Sequence, residues 1–383
     1  MTEKIELKGI TWGHSRGYTP LVACAQRYAE LHPGVQISWK KRTLQEFADF
    51  PIEQLVNDYD LLIIDHPWVG CAAATACVLP LDRYISSAYL DDQLRHTVGP
   101  SHQSYQYDGH QWALAIDAAT PVASYRKDLL EQNGIPVPAT WEEVLQLARM
   151  GKVAVPAIPI DLLMNFYMFC IACGNTPFSS SEEVIDAATG KQVLQLMGDL
   201  WSKADQKMFD SNPIAVAELM TTTDDYWYCP FAYGYSNYAR RGYARHILHY
   251  TDLVTLENIR LVSTLGGTGI AVSASSAFPD EAVKFAEWIV SPEIQRTIYT
   301  ETGGQPGHRG AWECSIVNGN TNNYFKNTLP ALDRAYVRPR YNGYLQFQDH
   351  AGIPIWQFLR DGGNPAVVLE QINLLYRNSL TLK

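Results

Sequence analysis

Several features are scarce in this sequence of 383 residues, and each scarcity excludes a class of protein. Basic residues are outnumbered, with 30 lysines and arginines against 40 aspartates and glutamates, which gives a formal net charge of −10. A chain of this charge has no broad basic surface to neutralise phosphates, so we expect no nucleic-acid partner. Long apolar runs are also missing, because the longest, residues 69–81, is too short to cross a bilayer.

The cysteines do not indicate a disulfide framework. There are seven, an odd number in a long chain. Cys170 and Cys173 form a single Cys-x-x-Cys pair in an apolar stretch, with no second pair and no histidine at ligand spacing. We interpret them as small buried hydrophobic side chains, and we predict no metal and no cofactor.

The first twelve residues lack the features of a secretory signal. They alternate polar and apolar residues as a strand does, without a charged start, an apolar middle and a small-residue cleavage site. The composition, 46% hydrophobic and 18% charged, is that of a folded chain, and the length predicts about two lobes.

Strand and helix patterns alternate from the start of the chain. Thr19 can cap a helix whose apolar residues recur on one face, and His32-Pro33-Gly34 ends it. A later continuous apolar run is typical of a strand covered on both faces. The pattern predicts an α/β fold with a mostly parallel sheet. The predicted strands are residues 5–12, 35–39 and 59–64, and the predicted helices are residues 20–31 and 44–56.

Helix-start signals mark several later elements. Thr140 and Glu143 have the spacing of a capping box, which predicts a helix to about residue 150. Asn212 and Asn364 each precede a proline at a first helical position. We predict further helices over residues 181–201, 213–220, 279–290 and 365–376, and strands over residues 111–116 and 122–125.

Polar and aromatic side chains follow the first and third predicted strands. Ligands of open α/β sheets bind beyond the carboxyl ends of the strands, so residues 13–17 and 65–68 are the places to look. A site for a polyhydroxylated ligand needs this mixture of groups. The candidates are Trp12, His14, Arg16, Asp65, His66 and Trp68.

Two patterns in this region suit enzymes instead. Gly13-His14-Ser15-Arg16-Gly17 matches the GxSxG nucleophile elbow, although a helix starting at residue 20 would leave a loop after Ser15. Asp65 and Asp117 could be the two carboxylates of a glycosidase, or could bind ligand hydroxyls. A serine hydrolase and a glycoside-processing enzyme are therefore the alternatives to a binding protein.

Aromatic residues and glycines supply the remaining candidates. Tyrosine and tryptophan rings, dense between residues 226 and 238, can pack on the apolar faces of a sugar. The Gly266-Gly267-Thr268-Gly269 turn lets backbone approach a ligand, but it lacks the complete dinucleotide-binding fingerprint. These patterns add Trp227, Tyr233, Tyr235, Gly267, Thr268 and Asp117, the last beside the predicted crossover between lobes.

Segments along most of the chain resemble one family, the carbohydrate-type extracellular solute-binding proteins (family 1) of ABC importers. Residues 59–82, with Asp65 at a strand end, resemble the family's third strand and following helix. Pro138-Ala139-Thr140-Trp141-Glu142-Glu143-Val144 is similar to a helix start of that family and is the most specific piece. Further similar segments are residues 108–114, 125–130, 267–273, 282–295 and 303–306.

The resemblance implies a periplasmic-binding-protein-like fold (type II) with two discontinuous lobes and a hinge. It places residues 1–115 and 268–305 in the N-terminal lobe, and residues 116–267 and 306–383 in the C-terminal lobe. It implies a monomer, not an enzyme, that captures a sugar or sugar derivative by hinge closure and delivers it to an ABC transporter membrane permease. Arg16 and Asp65 would be polar anchors and Trp68 a stacking platform. The implied location is periplasmic or at the cell surface, and the missing signal leaves a cytoplasmic one open.

Overall fold

The chain divides into two units built from interleaved segments. The structure, a computed structural model, describes residues 4–43 and 52–381. The first unit comprises Met1–Ala119, Leu265–Asn320 and Arg340–Asn342, and the second comprises Thr120–Thr264, Thr321–Pro339 and Gly343–Lys383.

The first two crossovers lie after residues 119 and 264, against predicted positions after residues 115 and 267. Residues 306–320 and 340–342, which were predicted in the second lobe, belong to the first unit. Backbone hydrogen bonds hold residues 306–320 in the first unit, since the Gly307 N–H donates to the Ile116 carbonyl and the Arg309 N–H donates to the His96 carbonyl. Trp312 is fully buried and its indole N–H donates to the Pro306 carbonyl, while His308 bridges to Thr97.

The strands form a separate sheet in each unit. In chain order they are β1 (Ile5–Trp12), β2 (Val35–Arg42), β3 (Leu61–Ile64), β4 (Leu114–Ala119), β5 (Pro121–Tyr125), β6 (Tyr228–Tyr233), β7 (His249–Thr251) and β8 (Gly266–Val272). Two-residue strands form small hairpins at Gln106–Tyr107 with His110–Gln111, and at Thr255–Leu256 with Ile259–Arg260.

The sheet of the first unit has the order β2-β1-β3-β8-β4. β1 pairs in parallel with both β2 and β3, whereas β8 is antiparallel to β3 and to β4. The mostly parallel sheet predicted from the sequence is confirmed, with β8 as its reversed strand. All four residues of β3 are buried, as its continuous apolar run predicts.

The second unit has an antiparallel sheet of order β6-β5-β7. Its aromatic residues pack mainly as a core, with Trp141, Phe169 and Phe231 in mutual contact. Cys170 is buried on the same helix as Phe169, which agrees with its interpretation as a hydrophobic side chain. Cys173, the C-cap of that helix, is only half-buried, so the prediction was wrong for this residue.

The longer helices are α1 (Ser15–Leu31), α2 (Ser87–Arg95), α3 (Trp141–Arg149), α4 (Pro159–Ala172), α5 (Ala187–Trp201), α6 (Pro213–Thr222), α7 (Pro279–Ile289), α8 (Tyr324–Asp333), α9 (Tyr344–Asp361) and α10 (Pro365–Ser379). The predicted caps Thr140, Asn212 and Asn364 are confirmed, and Thr140 with Glu143 forms the complete capping box. Among the described residues, no helix has the length and apolarity needed to span a membrane.

Two predicted helices begin at other residues in the structure, and a third is described only in part. The helix predicted over residues 181–201 begins at Ala187, because Asp186 caps it. α1 begins at Ser15 rather than residue 20, because His14 caps it in place of Thr19. Of the helix predicted over residues 44–56, residues 44–51 lie outside the described residues, and Ile52–Leu55 is helical.

Candidate functional site

One edge of the first unit's sheet collects most of the predicted site residues. Gly9 and Ile10 of β1 pair with Leu61 and Leu62, so β1 and β3 end side by side. β8 begins at this edge, with Gly269 opposite Ile64 and Thr268 opposite Asp117. The residues brought together are Trp12, His14, Arg16, Asp65, His66, Trp68, Asp117, Gly267 and Thr268.

The turn from β1 to α1 is tight and held by His14. The Arg16 backbone N–H donates to His14 Nδ1 at 3.0 Å, and the imidazole stacks on the Trp12 indole with ring centroids 5.7 Å apart. Burial, assisted by the Arg16 charge, lowers the pKa of His14 to about 4. His14 is therefore a neutral side chain at physiological pH, and its Nδ1 is an acceptor occupied by the cap.

The geometry of this turn does not support Ser15 as the nucleophile of a serine hydrolase. The expectation of a loop between Ser15 and its helix was wrong, since Ser15 is the first helical residue. The nucleophile elbow needs a strained strand-to-helix turn at the serine, yet Ser15 is absent from the described residues with positive φ. Its backbone is that of an ordinary capped helix start.

Arg16 and Asp117 form a buried ion pair at the centre of this edge. Each is 3% exposed, and the Arg16 Nε donates to Asp117 Oδ2 at 2.9 Å while Nη2 donates to Oδ1. Burial raises the pKa of Asp117, and the Arg16 charge opposes that shift. The guanidinium also lies over the Trp12 ring, 5.6 Å from its centroid. The charge predicted to anchor a ligand is thus neutralised within the chain.

Glycines allow the backbone to close around this pair. A Cβ at Gly17 would lie 2.3 Å from the Trp12 ring, so only glycine lets α1 approach the indole. Gly267 has φ +95°, and a Cβ there would lie 2.3 Å from the Asp117 carbonyl oxygen. The fully buried Gln305 donates from its side chain to the Ala118 carbonyl at 3.1 Å and fixes the segment beside Asp117.

Asp65, His66 and Trp68 occupy the turn after β3. Asp65 Oδ1 accepts from the His66 backbone N–H at 2.8 Å and lies 3.2 Å from His66 Nδ1. The Asp65 side chain keeps 22% of its surface exposed, whereas His66 is fully buried. Trp68 is 6% exposed, and among the described residues its indole N–H has no hydrogen-bond partner. The Trp68 indole N–H can therefore serve a ligand, and the exposed part of the Asp65 carboxylate is accessible to one.

The second unit's predicted residues lie at two different places. Tyr233 pairs with Pro121 at one end of β6, beside Tyr235, and its hydroxyl is 2.8 Å from Thr264 Oγ1. Trp227 precedes the other end, where its indole N–H donates to the Asp224 carbonyl and Lys152 Nζ lies over its ring. The structure does not bring Trp227 together with Tyr233 and Tyr235.

Residues near the edge also come from segments that sequence reasoning missed. The chain returns to the first unit at Arg340–Asn342, and a Cβ at Gly70 would lie 1.9 Å from the Arg340 carbonyl oxygen. This close approach sets Tyr341, which is partly exposed, beside the helix that follows Trp68. No local pattern marks Tyr341, because its place depends on a chain return more than 250 residues after β3.

Comparison with known structures establishes the class of fold. Maltose-bound MalE3 of T. maritima matches with a TM-score of 0.85 and 16% identity, covering 98% of this chain and 99% of that one. A solute-binding protein of Agrobacterium radiobacter K84, in complex with ribitol, matches with a TM-score of 0.83 and 18% identity, at 98% and 99% coverage. The fold is the two-lobed α/β fold of periplasmic sugar-binding proteins, as predicted.

The family follows from the sequence. Residues 23–311 match the model of the bacterial extracellular solute-binding protein family, and the chain belongs to that family. It is also 27% identical over 123 residues to the maltotriose-binding protein of Pyrococcus abyssi. That match spans 32% of this chain and only 25% of that protein.

Proposed function

We propose that this protein is the solute-binding component of an ABC importer and that it captures a neutral carbohydrate or polyol. The observation that carries the proposal is the edge of the first unit's sheet, where indole rings, a partly exposed carboxylate and glycine backbone converge. Such groups stack on sugar rings and hydrogen-bond their hydroxyls. Structures of the same fold bind maltose and ribitol, which supports this class of ligand.

The charges at the edge favour a neutral ligand over a sugar acid. Arg16 is paired with Asp117, and the lowered pKa of His14 keeps that imidazole neutral. Asp65 contributes a partly exposed carboxylate, which accepts from hydroxyls and repels anions. We therefore propose that uronic and aldonic acids bind more weakly than their neutral counterparts.

The site we propose consists of Asp65 and Trp68 as ligand contacts, on a floor formed by Trp12, His14, Arg16 and Asp117. Tyr233 and Tyr235 remain predicted contacts from the second unit, whereas the position of Trp227 gives it no support. Capture by hinge closure, delivery to a membrane permease and action outside the cytoplasmic membrane are proposals that rest on the family.

Substitution of Asp65 by asparagine tests the site. Asparagine can still accept from the His66 N–H, so the turn is kept while the charged acceptor is lost. Hydrogen bonds to charged groups contribute about 1.5–3 kcal/mol, so we expect affinity to fall about tenfold or more by calorimetry. Trp227→Phe is the control, since that residue lies at the far end of β6 and should leave affinity unchanged.

Enzymatic alternatives have a separate readout. A binding protein returns its sugar chemically unchanged, whereas a glycosidase or esterase would turn over chromogenic glycosides or esters. Turnover that disappears in Ser15→Ala or Asp117→Asn would replace this proposal with the corresponding enzyme.

A further inference from the structure

We propose that Asp92, His96 and His308 form a binding site for a divalent transition-metal ion of the Zn²⁺ type in the first unit. One potential ligand atom from each of the three residues lies within 4.8 Å of the other two. The site is distinct from the proposed sugar site and does not depend on it.

The backbone holds the three residues in place. Asp92 is in α2 and His96 is its C-terminal cap, so the two are one helical turn apart and share a face. His308 comes from a distant segment, but it bridges to Thr97, and the Arg309 N–H donates to the His96 carbonyl at 2.7 Å. The two imidazoles stack with centroids 5.4 Å apart and an angle of 21° between their planes.

His308 supplies the observation that points to a ligand. The residue is 6% exposed, and its buried Nε2 has no hydrogen-bond partner in the described part of the chain. Leaving a buried polar atom without a partner is destabilising, because the atom has lost its hydrogen bonds to water. A metal ion bound to Nε2 satisfies this atom.

Ligation has a local cost at His308. Its Nδ1 now accepts from the Gly310 N–H at 3.1 Å, which requires the proton to be on Nε2. Coordination through Nε2 moves that proton to Nδ1, and the hydrogen bond from Gly310 is lost. Loss of this one cap hydrogen bond weakens the expected metal affinity but does not prevent ligation through Nε2.

His96 and Asp92 complete the ligand set from the surface. His96 Nδ1 lies 3.1 Å from Asp92 Oδ1 and 3.0 Å from the Asp92 carbonyl oxygen, an arrangement that leaves His96 Nε2 for a metal. Both side chains are 42–50% exposed, so they can rotate to bring their ligand atoms to ~2.0–2.2 Å from the ion. Two imidazoles and one carboxylate suit Zn²⁺ better than Mg²⁺ or Ca²⁺.

Neighbouring arginines oppose the cation. Arg95 Nη2 lies 3.6 Å from Asp92 Oδ1 and competes for that carboxylate. Arg296 faces His308, while Arg309 is turned to Glu313, 3.7 Å away. Removing the Arg95 charge should therefore strengthen metal binding, which a purely structural cluster would not show.

Calorimetric titration of the untagged, full-length protein with Zn²⁺ tests the proposal. We expect one ion per chain, and an affinity at least ~10-fold weaker in His96→Ala and His308→Asn, since loss even of an outer-shell partner costs 10- to 100-fold. Asparagine at position 308 can still cap the short helix that begins at Arg309. Arg95→Gln should bind more tightly, and His350→Ala, which removes an exposed histidine of the second unit, should match the wild type.

Metal binding by cysteines must be distinguished from binding at the proposed site, because the chain has seven thiols. Titration with Co²⁺ reports it, since thiolate ligands produce intense charge-transfer absorption that nitrogen and oxygen ligands do not. Absence of stoichiometric binding, equal affinity in His96→Ala, or a thiolate spectrum would each overturn the site.

Discussion

At the scale of single residues, the buried ion pair between Arg16 and Asp117 supports the floor of the proposed site. Removing one partner of such a pair leaves the other buried and uncompensated, which costs about 3–5 kcal/mol. We therefore expect Asp117→Ala to lower the free energy of unfolding by that amount, because the Arg16 guanidinium is 3% exposed. Denaturant unfolding measures the change.

The double variant Arg16→Met/Asp117→Leu is the control for this prediction. It removes both charges and leaves none uncompensated, so it should recover much of the lost stability. If Asp117→Ala is as stable as the wild type, the ion pair is not the structural floor of the site.

His14 makes stability depend on pH. Its pKa is about 4 in the folded protein against 6.5 for the unfolded chain, so the unfolded state takes up the proton first. This contribution to stability is complete above pH 6.5 and is lost as pH falls towards 4. His14→Asn keeps an N-cap without a titrating group, so we expect its unfolding midpoint in urea to fall less than that of the wild type over this range.

Asp161 provides an internal check on that measurement. Burial raises the pKa of this carboxyl to about 8, so its effect has the opposite sign and stability is lost as pH rises through the range 3.8 to 8. The effect of Asp161 is the same in the wild type and in His14→Asn, so it cancels when their pH profiles are compared. Parallel pH profiles for the wild type and His14→Asn would contradict the role given to His14.

At the scale of elements, the sequence predicts starts with standard caps and misses the unusual one. Thr140 with Glu143 has the spacing of a capping box and forms it. His14 is not among the common N-cap residues, and Pro20 lies inside α1 rather than at its first turn. Both features make the sequence predict a helix start at residue 20 instead of Ser15. The apolar pattern of α1 correctly predicts a helix. Its N-cap depends instead on contacts of His14 with the Trp12 ring and the Arg16 N–H.

The contribution of the capping box of α3 to stability can be measured by substituting Thr140. Thr140→Ala removes the hydroxyl that accepts from the Glu143 N–H, and N-cap losses of this kind cost about 0.5–2 kcal/mol. We expect that decrease in the free energy of unfolding, with Thr140→Ser within a few tenths of the wild type because serine is an equally good cap. If Thr140→Ser loses as much unfolding free energy as Thr140→Ala, the threonine methyl group and not the hydroxyl cap provides the stabilisation.

At the scale of the whole molecule, the positions of the strand ends predict most of the candidate edge from the sequence. Trp12, Asp65 and Asp117 lie at one edge of the sheet because β1, β3 and β4 run in the same direction, and this property of the topology can be predicted. The ion pair between Arg16 and Asp117 cannot be predicted from the sequence, which instead indicates Arg16 as a polar anchor for a ligand. Tyr341 and the approach of His308 to His96 depend on chain returns over hundreds of residues, for which the sequence carries no local signal.

The central claim, capture of a neutral carbohydrate or polyol, is tested most directly by calorimetric titration of the wild-type protein. Maltose, maltotriose and ribitol, each compared with a sugar acid such as glucuronate, cover the ligand class proposed. We expect saturable binding of one neutral ligand per chain, with an affinity at least about tenfold higher than for any sugar acid. The reason is that the Asp65 carboxylate repels the carboxylate of a sugar acid. Tighter binding of the sugar acids, or no binding of any carbohydrate, would contradict it.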